Sequence, residues 1–404
     1  MRHLILALLL PGLLAALLQG CTSVNRAYEA ALVLGDVAAG EEDSRLKRRE
    51  ATPQRETVDY RVDERAYRAD VYHPERPRRG HLLLVHGFTE EGRRDPRLTA
   101  FAETLGRAGF TVFVPEVEGL RDFSISGREI RVLTDALRHS TGDTGPAAGV
   151  RTGIAAFSLA VGPAMLAAGD PAVNNQVSFI VSVGGYYDLT DTLRYVTTGV
   201  DAGGNDARPP PPQREGRWAV LLSQLHWLED DDDRDLLERI ARRRMDDPHA
   251  PVGELRRQLG DAGQSVYALV TNRDPDKVDT LIEALPAAML EEFRALDLSV
   301  RDLSGVQADV VLIHGPDDRV IPFSHSERLR DALANDREHW LYRAGGLGHV
   351  DVSPGLRDGL GLWRAASRIL MLGEREVLRA EDRDADPQRP ENLAGQADLL
   401  LDTP

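Results

Sequence analysis

The stretch AAFSLAVG, Ala155 to Gly162, decides how this chain is read. Val150 to Phe157 leads into it as a strand, and Leu159 to Ala168 leads out as a helix, leaving Ser158 at the tip of a sharp turn. A serine there has two readings. It caps the helix, accepting a backbone N–H. Or it is a nucleophile held at a strained φ/ψ, its Oγ pushed into a cleft. In the second case the flanking positions must be small, because strand and helix backbones come close. Glycine meets that demand best; here Ala156 and Ala160 stand in its place. On this segment alone both readings remain open.

Outward from the turn, strands and helices alternate. Upstream, Thr57 to Val62 and Ala66 to Tyr72 flank the polar turn Asp63-Glu64-Arg65 and predict a hairpin. His81 to Val85 is a continuous apolar run of buried-strand type. Leu98 to Arg107 reads as a helix, Phe110 to Val114 as a strand and Gly127 to Arg138 as a helix. Downstream, Val177 to Val183 is a strand. The regularity stops at Tyr186. Up to about residue 300 come Pro209 to Pro212, the acidic run Glu229 to Asp233 and amphipathic helices, clearest at Asp235 to Met245 and Pro275 to Leu285. The pattern resumes with a strand at Asp309 to His314, a helix at Ser324 to Leu333, a strand at His339 to Tyr342 and a last helix at Asp358 to Leu372. This implies a mostly parallel, doubly wound α/β sheet interrupted by a mainly helical insertion. The boundaries read as a core of residues 56–188 and 301–375, an insertion at 189–300, and an acidic, flexible tail at 376–404.

Composition sets limits. The 404 residues carry a formal net charge of −16, which excludes a general nucleic-acid-binding surface. Cys21 is the one cysteine, so no disulfide forms within the chain, and no Cys/His metal spacing occurs. Met1-Arg2-His3 is followed by an apolar run from Leu4 to Leu18, short for a membrane span and suited to a signal-peptide core. The run ends in Leu18-Gln19-Gly20-Cys21, which resembles the bacterial lipoprotein box. That resemblance implies removal of residues 1–20, lipidation of Cys21 and, with Thr22 following, the periplasmic face of the outer membrane. Residues 21–55 then read as one helix, Val24 to Val37, and a charged tether.

Four features fall at the C-terminal ends of predicted parallel strands, where ligands gather in open α/β sheets. They are His86-Gly87-Phe88, Ser158, the run His314-Gly-Pro-Asp317-Asp318-Arg-Val-Ile-Pro322, and His349 in a Gly-rich loop. Gly87 permits a backbone conformation that a Cβ opposes. The order of these features resembles the α/β-hydrolase superfamily, whose members often carry a helical cap after the nucleophile; the likeness spans roughly residues 56–375. It implies Ser158 as nucleophile, His349 as base, Asp318 as orienting acid with Asp317 beside it, and backbone N–H groups of Phe88 and Leu159 as an oxyanion hole. Asp188 is an alternative acid. The substrate implied is a small-molecule or lipid-like ester or related acyl compound, with no cofactor and no metal. A peptidase, amidase or thioesterase on the same residues, and a catalytically silent envelope lipoprotein of this fold, stay open beside the esterase.

Overall fold

The computed structural model describes residues 24–203, 210–213, 216–333, 337–345 and 359–385. Residues 24–39 form helix α1, and α2 follows at Arg45–Arg49. The charged tether therefore contains a helix. Ser44 caps it, accepting from Lys47 N, and its Leu46 is buried.

Strands β1 (Gln54–Val62) and β2 (Arg65–His73) pair antiparallel through a tight turn with Asp63 at φ +53°. Then come β3 (His81–Leu84), α3 (Pro96–Arg107), β4 (Thr111–Pro115), α4 (Glu118–Arg121), α5 (Gly127–Thr141), β5 (Thr152–Phe157), α6 (Val161–Ala168) and β6 (Val177–Val183). Local signals start the helices: Asp95 accepts from the N–H groups of Arg97 and Leu98 with Pro96 at N1, and Ser126 with Glu129 makes a capping box on α5.

Among the described residues the sheet has eight strands in the order β1-β2-β4-β3-β5-β6-β7-β8, where β7 is Asp309–His314 and β8 is His339–Arg343. All neighbours from β4 to β8 are parallel, and β2 runs against them. This is the α/β-hydrolase fold. The central strands are buried on both faces, so they read as unbroken apolar runs rather than alternating ones. One face packs under α5 and α6; the other lies under α1, α3 and the last helix, α15 (Gly359–Ala385). Each fully buried Leu, Val or Phe contributes roughly 1.5–3 kcal/mol.

Between β6 and β7 lie α7 (Leu189–Thr198), α8 (Gly216–Gln224), α9 (Asp231–Asp246), α10 (Gly253–Gln258), α11 (Asp261–Thr271), α12 (Val278–Glu283) and α13 (Ala287–Leu296). They carry an apolar core of their own around Trp218, Leu237, Ile240 and Tyr267. The single helix expected over 275–285 is a 3-10 turn at Pro275–Lys277 followed by α12. Helix α14 (Ser324–Ala332) links β7 to β8. The last helix runs thirteen residues beyond the expected Leu372, to Ala385. Buried Arg375 and Glu376 hold it past that point.

The two ends of the described chain meet. Trp363 Nε1 donates to Ala27 O at 2.8 Å, and Arg26 pairs with Glu374 at 2.8 Å. Buried Arg79 joins them, 2.5 Å from Glu29 and 2.6 Å from Glu374. No helix among the described residues is long and apolar enough to cross a membrane. Residues 1–20, Cys21, His349 and the tail beyond Ala385 lie outside the described residues.

Candidate active site

Strand β5 ends with Phe157 in extended geometry (φ −123°, ψ 142°), and Ser158 then turns to φ +52°. A 3-10 turn, Ser158–Ala160, follows before α6 begins at Val161. The helix thus starts two residues later than the sequence suggests, and its N-cap is Ala160 with no side-chain cap bond. Ser158 does not cap it. A non-glycine residue in the left-handed region costs about 1–3 kcal/mol and is kept where the surroundings enforce it. Among the described residues only Asp63, Phe123 and Ser158 do this without being glycine.

The two alanine methyls fit. Ala156 is fully buried in the strand and Ala160 nearly so, both within the core between sheet and α6. The tight approaches come one turn later. A Cβ on Gly162 would lie 1.8 Å from Tyr186 Oη, and one on Gly185 would lie 2.6 Å from Val161 Cγ1. Tyr186 is fully buried and donates to Leu296 O at 2.8 Å. The glycines that this elbow requires are Gly162 and Gly185, not the neighbours of the serine.

Ser158 lines a cavity of about 1150 Å³ with Phe157, Leu159, His86, Gly87 and Phe88. Parallel neighbours β3 and β5 bring the two loops together at the same end of the sheet. Gly87 is not in the left-handed region, and a Cβ there meets nothing within 4 Å. The expected conformational need for glycine is absent; the position is open because it faces the cavity. His86 fixes the loop from behind. Its Nε2 accepts from Val117 N at 3.1 Å, so Nδ1 carries the proton and donates to Gly87 O at 2.9 Å. Burial pushes its pKa down from the ordinary imidazole value. The ring is therefore a neutral strut, in keeping with a packing role. Phe88 packs against Phe123, ring centroids 5.9 Å apart.

The acid loop separates Asp317 from Asp318. Asp317 is exposed, whereas Asp318 is 1% exposed. Asp318 Oδ1 accepts from Val320 N at 2.8 Å and Ile321 N at 2.9 Å, and Oδ2 lies 3.4 Å from His314 Nε2. That histidine is itself braced by Ser326 Oγ (2.7 Å) and Ile321 O (2.8 Å). Across the sheet, Phe157 pairs with Val183, and Val183 with Ile313. The Ser158 turn and the Asp318 loop thus leave the sheet at one level, two strand spacings or about 10 Å apart. Val320 and Ile321 line the cavity that holds Ser158. Gly359, where the described chain resumes after the segment containing His349, lines it too.

Asp188 has other work. It is the N-cap of α7, accepting from Asp191 N at 2.8 Å, and its Oδ2 lies 3.4 Å from Arg328. Asp191, Asp201 and His325 have ligand atoms close enough for a cation. A guanidinium already serves them: Arg328 is 2.7 Å from Asp191 Oδ2. His325 Nδ1 accepts from Tyr187 N at 3.2 Å, and its Nε2 lies 3.4 Å from Arg328 and 3.8 Å from Asp191 Oδ2. Burial first, then Arg328, hold its pKa well below the usual value. The cluster rivets α7 to α14.

The sequence reading missed two parts of the site. The His314–Ser326 brace of Asp318 joins residues twelve apart, which no short motif records. The other is α1. Residues 33–38 line the cavity, together with Leu362 and Ala366 of α15. Only long-range packing places them there.

No protein-family model and no curated protein sequence matches the chain. Some solved structures resemble the chain at low identity. Acylaminoacyl peptidase of Pyrococcus horikoshii is 12% identical over 81% of this chain and 42% of that one, with a TM-score of 0.45. Dipeptidyl peptidase 4 of Porphyromonas gingivalis is 11% identical over 79% and 35%, with a TM-score of 0.45. An esterase domain from Rhodothermus marinus is 15% identical over 80% and 99%, with a TM-score of 0.39. The chain spans less than half the length of the two peptidases.

Proposed function

We propose that the chain is a serine hydrolase acting on an ester or related acyl compound. Ser158 Oγ adds to the carbonyl carbon while His349 takes its proton, and the oxyanion sits on the N–H groups of Phe88 and Leu159. The leaving group departs with that proton as the acyl-enzyme forms. Water, activated by the same base, then releases the acid. Asp318 holds the histidine tautomer and stabilises its imidazolium. The observation that carries the reading is the φ of +52° at Ser158, a strained serine between strand and helix at the wall of the cavity. An amide or thioester substrate uses the same groups, and a panel of acyl substrates separates these from the ester.

A fluorophosphonate probe tests the proposal. Labelling of the folded protein that disappears in Ser158→Ala supports it. Absence of labelling, together with esterase activity unchanged in Ser158→Ala, overturns it. For Cys21 we keep the lipid-anchor reading from the sequence; incorporation of an alkyne fatty acid that is lost in Cys21→Ser tests it.

A further inference from the structure

A second, smaller cavity of about 70 Å³ lies among the helices after β6, with Ile125, Leu159 and Tyr186 completing its wall. Its wall is almost wholly apolar, built from residues such as Val266, Leu269, Val270 and Met289. Four side chains on it have polar atoms, and each turns its donor into the protein. Tyr186 Oη donates to Leu296 O, Thr192 Oγ1 to Asp188 O, Ser223 Oγ to Val220 O, and Gln224 Nε2 to Ser223 Oγ, at 2.7 to 3.3 Å. A water inside would find too few partners to be held, because a buried water needs two to four. An apolar recess of this kind favours an apolar guest. It is about half the size of the roughly 150 Å³ cavity that takes benzene, so it suits the slender end of a chain.

The cavity shares a wall with the large one at Ser158. Leu159, Thr192 and Val220 line both. Leu159, which lines both, is the residue directly after Ser158.

We propose that this cavity is an acyl-chain subsite: it receives the terminal carbons of a straight aliphatic acyl group whose carbonyl lies at Ser158, entering beside Leu159 and Val220. The substrate is then a medium-chain acyl compound. The chemistry rests on the hydrolase reading above, but binding in the cavity does not.

Two measurements separate these. In the first, kcat/KM is compared for acetyl and hexanoyl esters of one alcohol. Val270→Phe fills the space and lowers the hexanoyl-to-acetyl ratio by about tenfold or more, since each methylene excluded from an apolar pocket is worth at least that factor. Leu269→Ala enlarges it and moves the preferred chain to greater length. In the second, n-hexanol is the probe, added to Ser158→Ala protein while thermal unfolding is followed. An upward shift in midpoint that vanishes in the Ser158→Ala/Val270→Phe double variant supports the subsite whether or not the protein hydrolyses anything. Active enzyme whose chain-length ratio is unmoved by both variants, with no hexanol shift, overturns the subsite and leaves the hydrolase reading intact. Length dependence on the alcohol instead of the acyl group also overturns it.

Discussion

At position 158 glycine should stabilise the protein more than alanine, the reverse of the usual ranking. Both Ser158→Gly and Ser158→Ala remove the hydroxyl, so the loss of its contacts cancels in the comparison. What differs is the backbone. At φ +52° an alanine Cβ crowds the carbonyl that follows, at a cost of roughly 1–2 kcal/mol. Glycine escapes that cost but loses more chain entropy on folding, roughly 0.5–1 kcal/mol. The difference favours Ser158→Gly by about 0.5–1 kcal/mol. Ala164, buried in the regular part of α6, supplies the control. There Ala164→Gly should destabilise by about 1 kcal/mol or more, as helix propensity requires. Urea or thermal unfolding of the purified variants reads both differences, as opposite signs within one helix-turn unit. If Ser158→Ala proves as stable as Ser158→Gly, or more so, the serine is not strained and the elbow argument fails.

Two further outcomes follow from the site and the core. Asp318→Asn should lower kcat/KM by roughly 10³–10⁴-fold with little loss of stability, because Oδ1 can still accept from Val320 and Ile321; Asp188→Asn, at a helix cap, should cost no more than about tenfold, and the reverse ranking would move the acid to Asp188. Burial holds His81 down at about 4, against 6.5 in the unfolded chain. Above pH 6.5 both states are neutral and nothing is lost. As the pH falls below 6.5 the unfolded chain takes up a proton that the folded one refuses, so stability declines until about pH 4. His81→Leu should flatten that decline in unfolding curves taken at pH 7 and 4.5, and an unchanged slope would assign the loss elsewhere.

Much of the fold was legible because parallel strands buried on both faces announce themselves as apolar runs. Val177–Val183 and Asp309–His314 match the sequence reading residue for residue. The hairpin was legible through its polar turn. Helix ends were not. Helix α9 begins at Asp231, four residues before the Asp235 read from the sequence, and its Asp233 is buried, accepting from Gly260 N and Gly263 N. The end of α15 depended on Arg375 and Glu376, which look solvent-facing until the sheet is placed beneath them. At the candidate site, position along the chain pointed to Ser158, which follows β5 directly, and to Asp318, four residues past the end of β7. The motif itself misled, since the glycine requirement had moved to Gly162 and Gly185, where only the closeness of Tyr186 and Val161 reveals it. Gly87 was the opposite case, a motif glycine with no steric reason in its surroundings.

The clasp between α1 and α15 bears on how this protein is shortened for study. In the sequence, residues 24–39 read only as a helix joined by a charged tether to the α/β core that begins at residue 56. Cutting at residue 40, the obvious trimming point, would strip Ala27 from Trp363 and Glu29 from Arg79 and open one side of the chamber at Ser158. A version made that way would present a different receptacle, its chamber missing the wall that α1 supplies.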